Sequence, residues 1–135
     1  MFQRFFISFC IIMLTLPAAA QEVKLSVEEL IKSTVTGVAG HDVLMSRISI
    51  PANTTLPRHS HPTEEFLYIL GGEAILRIDG REDRLLKPGA AVVIPAGAIH
   101  TAVTHDSDAL ALTTRVQPKG QPVRIPAMSS APTKD

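Results

Sequence analysis

One short stretch carries three residues whose types bind metals. In His59-Ser60-His61-Pro62-Thr63-Glu64-Glu65, two imidazoles and the second carboxylate stand at odd positions. Alternate side chains of an extended chain share a face. His59, His61 and Glu65 therefore converge on one side, provided Pro62-Thr63 keeps the parity, while Glu64 points the other way. Two imidazoles and a carboxylate suit a divalent transition metal, whether iron, manganese, nickel, copper or zinc. His100, just after the turn Pro95-Ala96-Gly97, is a further candidate. Taken alone, a His-x-His pair also fits two polar residues on an exposed strand edge. His41 and His105 each sit in a turn beside an aspartate and read as solvated loop residues.

Short strands position these groups. Val43 to Ile50 reads as a strand ending at Pro51, and Phe66 to Leu70 as a second one closed by Gly71-Gly72. Ala74 to Ile78 and Arg84 to Leu86 flank Asp79-Gly80, a hairpin signal. Ala91 to Ile94, Thr101 to Thr104 and Ala109 to Val116 complete the set. Turns recur at a spacing that argues a sandwich or barrel, with no βαβ alternation and no nucleotide-binding glycine loop. Gln21 to Lys32 is ambiguous. Ser26 and Glu29 fit a helix capping box, whereas Thr34-Val35-Thr36 prefers strand. Along the second strand, Leu67 and Ile69 share the parity of Glu65 and are candidates for a pocket wall. Phe66 and Tyr68 have the opposite parity and face an outer sheet surface or a subunit interface. Arg58 points away from the candidate site for the same reason.

The pattern resembles the cupin superfamily. Its first motif is glycine, five residues, His-x-His, three or four residues, Glu, six residues, Gly, and His59, His61, Glu65 and Gly72 match it in order. Asn53 stands where the leading glycine is expected, and asparagine tolerates the left-handed backbone better than most residues. The second motif is matched by Gly89, Pro95, Gly97 and His100, with Thr104 in place of its final asparagine. The resemblance covers Asn53 to Thr104 in detail and runs as strand pattern from about Val38 to Val116. It implies an all-β fold, the antiparallel double-stranded β-helix or jelly-roll barrel of six to eight strands. It implies His59, His61, Glu65 and His100 as metal ligands, with Glu65 also a possible base, and a homodimer paired through outer sheets. It further implies a small-molecule ligand or substrate. The chemistry would be that of a metal-dependent oxidoreductase, like quercetin-dioxygenase-type cupins, or else non-catalytic capture of a metal ion or small ligand.

The ends and the composition bound the rest. Residues 1–20 have the layout of a secretory signal peptide: Arg4, the apolar run Phe5 to Leu16, Pro17, then Ala18-Ala19-Ala20 before Gln21. Cleavage near Ala20-Gln21 sends the chain to the periplasm or medium, with no stable membrane insertion afterwards. The expected organisation is then an N-terminal segment 21–37, a barrel 38–126 and a disordered tail 127–135. The single cysteine, Cys10, lies in the leader, so thiol catalysis, disulfides and cysteine-zinc sites are excluded from the mature chain. A formal net charge of zero with no basic stripe gives nucleic acid no footprint. An exported chain takes its metal where copper and zinc compete best.

Overall fold

A computed structural model describes residues 24–128 of the chain. The leader assigned to residues 1–20 and the tail beyond residue 128 lie outside the described residues. Ten strands form the described part. They are β1 (Ser26–Thr34), β2 (His41–Ile50), β3 (His59–Ser60), β4 (Glu65–Gly72), β5 (Ala74–Ile78), β6 (Arg84–Leu86), β7 (Ala91–Ile94), β8 (His100–Val103), β9 (Ala109–Pro118) and β10 (Ile125–Pro126). They make two five-stranded antiparallel sheets, ordered β1-β2-β9-β4-β7 and β10-β3-β8-β5-β6. The expected double-stranded β-helix is the architecture found.

Alternation along the strands explains why the sheets face each other. In β9 every second residue from Ala109 to Gln117 is buried, the signature of a strand with one face on a core. Ile69, Leu76, Leu86, Val92, Ile94 and Ala111 form the main core cluster. A smaller one joins Ile50, Ala74 and Ala109. On β4 the opposite parity leaves Phe66 and Tyr68 about half exposed on the outer face. Arg58 is exposed and pairs with Asp79, away from the interior.

The ambiguous N-terminal segment resolves as strand. β1 pairs with β2 along its whole length, with a bulge at Leu30, and every one of its residues is exposed. The capping-box residues lose to this edge because the segment has no helical stripe to bury, while the β2 edge offers a full ladder of hydrogen bonds. Two very short strands, β3 and β10, were not legible in the sequence. The Asp79-Gly80 hairpin is present, with a longer loop than the minimal turn.

The two departures from the family motifs meet in space. Asn53 adopts a left-handed backbone, φ 54°. Its amide donates to the His105 carbonyl at 2.7 Å. Beside it, the buried Thr104 hydroxyl donates to the Pro51 carbonyl at 2.5 Å and accepts from the Thr54 amide at 3.0 Å. One threonine thus fastens the turn after β2 to the end of β8, the strand that begins with His100.

Thr104→Val keeps the shape and removes both bonds. It is expected to cost roughly 1–3 kcal/mol of unfolding free energy, read from the denaturant midpoint. Gly72→Ala is expected to cost more, above about 3 kcal/mol. Gly72 has φ 65°, and an added Cβ would lie 1.6 Å from the Asp108 carbonyl oxygen, which is backbone. A variant as stable as the parent would contradict either account.

Candidate metal centre

The site sits where the two sheets come together. His59 on β3 and His100 on β8 are direct cross-strand partners in the second sheet. His61 follows β3, and the Gly97 amide of the Pro95–Gly97 turn donates to its carbonyl at 2.8 Å. The Pro-x-Gly turn therefore holds the backbone of one histidine just before delivering another. Glu65 opens β4 in the first sheet, opposite Ile94 of β7. Arg115 reaches in from β9. All five of these side chains are buried.

The three imidazoles cluster, with their ligand atoms all within 4.8 Å of one another. Each ring is fixed the same way. The Nδ1–H of His59 donates to the Pro57 carbonyl at 2.9 Å, and that of His100 to the Ala98 carbonyl at 2.9 Å. His61 Nδ1–H donates to the Val123 carbonyl. With Nδ1 turned to a carbonyl, Nε2 of His59 and of His100 is left as the ligand atom, while Nε2 of His61 faces Glu65. A backbone carbonyl on the far nitrogen is the arrangement that orients imidazole ligands toward metals.

Glu65, expected as a fourth ligand, lies beside the three-histidine cluster and is tied to other partners. Its Oε2 accepts from Arg115 Nη2 at 2.5 Å and Nε at 3.2 Å. The same oxygen lies 2.7 Å from His61 Nε2. Two lone-pair atoms at that distance need a cation between them, either a proton on His61 or a metal bound by both. Ligands 90° apart at about 2.1 Å from an ion are about 3 Å from each other. The donor chemistry therefore fits a divalent transition ion held by the three histidines, with Glu65 adjacent and shared with Arg115.

Electrostatics follow from burial and from these contacts. Burial, and then the neighbouring cationic and histidine groups, push the His59 imidazole down to about 4, although its bond to Pro57 works the other way. His100 is likewise lowered, mainly by burial. Burial alone would raise the Glu65 carboxyl, but contact with His61 and the charge of Arg115 outweigh it and hold it at about 2. His59 and His100 thus keep the neutral form, and Glu65 the ionised form, further into acid than such groups ordinarily do. These are the protonation states that metal ligation requires.

A cavity of about 470 Å³ opens onto this cluster. His59, Glu65, His100, Arg115 and Arg124 line its charged end. Leu67 and Ile69 are on its wall, as strand parity implied, and Ala102 joins them. Ala98 instead packs against the main core cluster. His105 is exposed in its loop, whereas His41 begins β2 and its Nδ1 contacts the Ala39 carbonyl at 2.9 Å. Two arginines were missed in the sequence. For Arg115 a signal existed, since it is the one charge on the buried parity of β9 and a buried charge needs a partner. Arg124 lies just before β10 in a segment without periodicity, and nothing there announced it.

A model of the cupin domain matches residues 46–114. The chain belongs to the cupin family. Among curated proteins, it is 40% identical over 65 residues to the dimethylsulfoniopropionate lyase DddQ of Ruegeria pomeroyi, spanning 48% of this chain and 32% of the lyase. The crystal structure of that lyase superposes with a TM-score of 0.62 at 27% identity, covering 75% of this chain and half of the other. The cupin thus spans about a third of the length of the curated relative it matches. A cupin-like protein of Thermotoga maritima shares the fold, with a TM-score of 0.64 and 18% identity over 82% of both chains. The polyketide cyclase RemF of Streptomyces resistomycificus does so at 0.62 and 23%, over 82% of this chain and 78% of that one.

Two outcomes are expected. Arg115→Met leaves a buried carboxylate without its cation and should lower stability by about 3 kcal/mol. Added divalent metal should recover more in this variant than in the parent, because the ion then replaces the lost charge. Equal metal-induced shifts in melting temperature would contradict a shared Glu65. Chelator-treated protein should also lose stability in acid. His59 has a lower pKa folded than unfolded, so the unfolded chain takes the proton first as pH falls from 6.5 toward 4. Glu65 adds a further loss between 4.5 and 2. Melting curves across pH should show the first loss shrink in His59→Gln.

Proposed function

We propose that this cupin is a metal-dependent enzyme acting on a small organic molecule that meets the metal through oxygen, with oxidation as its reaction. The observation that carries the reading is the cluster of three carbonyl-anchored imidazoles, two of which, His59 and His100, line an apolar cavity. His59, His61 and His100 would hold the ion, and Glu65 would adjoin it. A bound transition metal would supply Lewis acidity and redox reactivity at this position. The chain's own residues orient the ligand: the aliphatic walls exclude water, and the charged end fixes the polar head. A volume of about 470 Å³ suits a small molecule.

Oxidation is favoured over elimination by the state of Glu65. A base that removes a carbon-bound proton works best with a pKa near the working pH. Glu65 is paired with Arg115 and in contact with His61, so its lone pairs are already engaged. The other carboxylate on the cavity wall, Glu29, stands on the exposed strand β1. A second reading is a lyase, supported by the similarity to the Ruegeria pomeroyi enzyme. The reading of residues 1–20 as a leader places the activity outside the cytoplasm. The exposed Phe66 and Tyr68 on the outer face support pairing of two copies.

The test loads the chelated protein with iron, manganese, copper, nickel or zinc and follows dissolved oxygen with chelating phenols and diols. Metal-dependent oxygen uptake that falls at least about 100-fold in His61→Ala is expected. Release of dimethyl sulfide from dimethylsulfoniopropionate without oxygen uptake would replace oxidation by the lyase reading. Neither activity, with metal bound, would leave non-catalytic capture.

A further inference from the structure

The charged end of the cavity holds more positive than negative groups. Glu65 supplies one negative charge, and Arg115 cancels it at 2.5 Å. Arg124 remains. It lines the same cavity, and among the described residues no carboxylate lies within salt-bridge distance of it. Its Nη2 donates weakly to the Pro57 carbonyl at 3.3 Å, the same oxygen that accepts from His59. Nη2 and His59 Nδ1 are 2.9 Å apart. With Nδ1–H committed to Pro57, these are two donors crowding one acceptor. The remaining N–H groups of the Arg124 guanidinium have no protein partner among the described residues. Any divalent ion on the histidines would add two further positive charges beside it. Away from this end the wall is aliphatic, with Leu44, Ile48, Leu56 and Leu76 among its residues and Glu29 on the exposed β1 side. Arg124 is exposed, so this unpaired positive charge stands at the solvent-facing edge of an apolar chamber, and it is complementary to one kind of occupant.

We propose that the cavity binds a small organic carboxylate, with its anionic head at Arg124 beside the histidine cluster and its aliphatic body along the Leu44–Leu76 wall. The proposal rests on the reading of the cluster as a metal centre for the closeness of the head to the ion, but the pairing with Arg124 stands without it. Arg124 is the specificity-determining residue. Its planar fork suits a carboxylate held by two parallel hydrogen bonds. A neutral amide of the same shape would leave the guanidinium unpaired, and an amine would meet repulsion. Arg115 cannot take this role, because Glu65 already holds it.

The test titrates hexanoate, hexanamide and hexylamine into zinc-loaded protein and into chelated protein by calorimetry. Hexanoate is expected to bind the zinc-loaded form at least about 10-fold more tightly than hexanamide, with hexylamine weaker still. Arg124 is exposed, so Arg124→Gln should fold normally. It is expected to weaken hexanoate by ~10- to 100-fold and to leave hexanamide unchanged. Arg124→Lys should restore part of the loss. Arg124-dependent preference for hexanoate in chelated protein that binds no metal would support the pocket and sink the metal reading. One metal bound per chain, with hexanoate and hexanamide equal or with Arg124→Gln indistinguishable from the parent, would overturn the proposal and leave the metal reading intact.

Discussion

The arrangement depends on a carboxylate buried where it must be shared. Glu65 is 3% exposed and cannot be ionised there without positive partners. Arg115 supplies one, and His61, 2.7 Å away, calls for another cation. That constraint reaches outward. Arg115 has to lie on the inner face of β9, so β9 must pair with β4 in the register that sets Phe66 opposite Thr114. His61 must keep its ring turned by the Val123 carbonyl, so the chain after β9 must come back across the site. The short strand β10 then seats that returning segment on β3. The C-terminal part of the described chain is thereby a wall of the site.

The same geometry separates two tasks. The second sheet places His59 and His100 directly across a ladder, where backbone pairing fixes their spacing. The first sheet supplies the carboxylate and the arginine. Between them lies an aliphatic chamber whose apolar lining strengthens every charge interaction at its end. An apolar space with a few convergent polar groups is how small-molecule sites are generally built. The Thr104 clamp and the left-handed Asn53 turn hold the far end of β8, so the strand that presents His100 is fixed at both ends.

Much of this was legible because it depends on period two. Alternation along β4 set Phe66 apart from Glu65 and put Leu67 and Ile69 on the cavity wall. His59, His61 and Glu65 meet instead because the chain leaves β3 of one sheet for β4 of the other, which strand parity did not foresee. Turn residues marked most strand ends. What escaped depends on contacts distant in sequence. β3 and β10 are two residues each and have no pattern of their own. The edge strand β1 is exposed throughout, so burial left no mark on its composition. Arg124 is meaningful only because β10 returns to β3, and no local rule states that. Arg115 differs: its place on the inward parity of an apolar strand was a readable anomaly, resolved only by seeing which carboxylate answers it. The Asn53 and Thr104 departures looked independent in the sequence and are neighbours in space, joined through the Pro51–Thr54 turn.

The most direct measurement is the metal content of the purified protein, by elemental analysis after chelation and reloading with each of the five candidate ions. It would be run beside a His61→Ala, His100→Ala double variant whose fold is checked by circular dichroism. The account predicts one divalent transition ion per chain in the parent and none in the folded variant. A parent that retains no ion from any of the five, or a folded variant that binds as well as the parent, would contradict the metal centre.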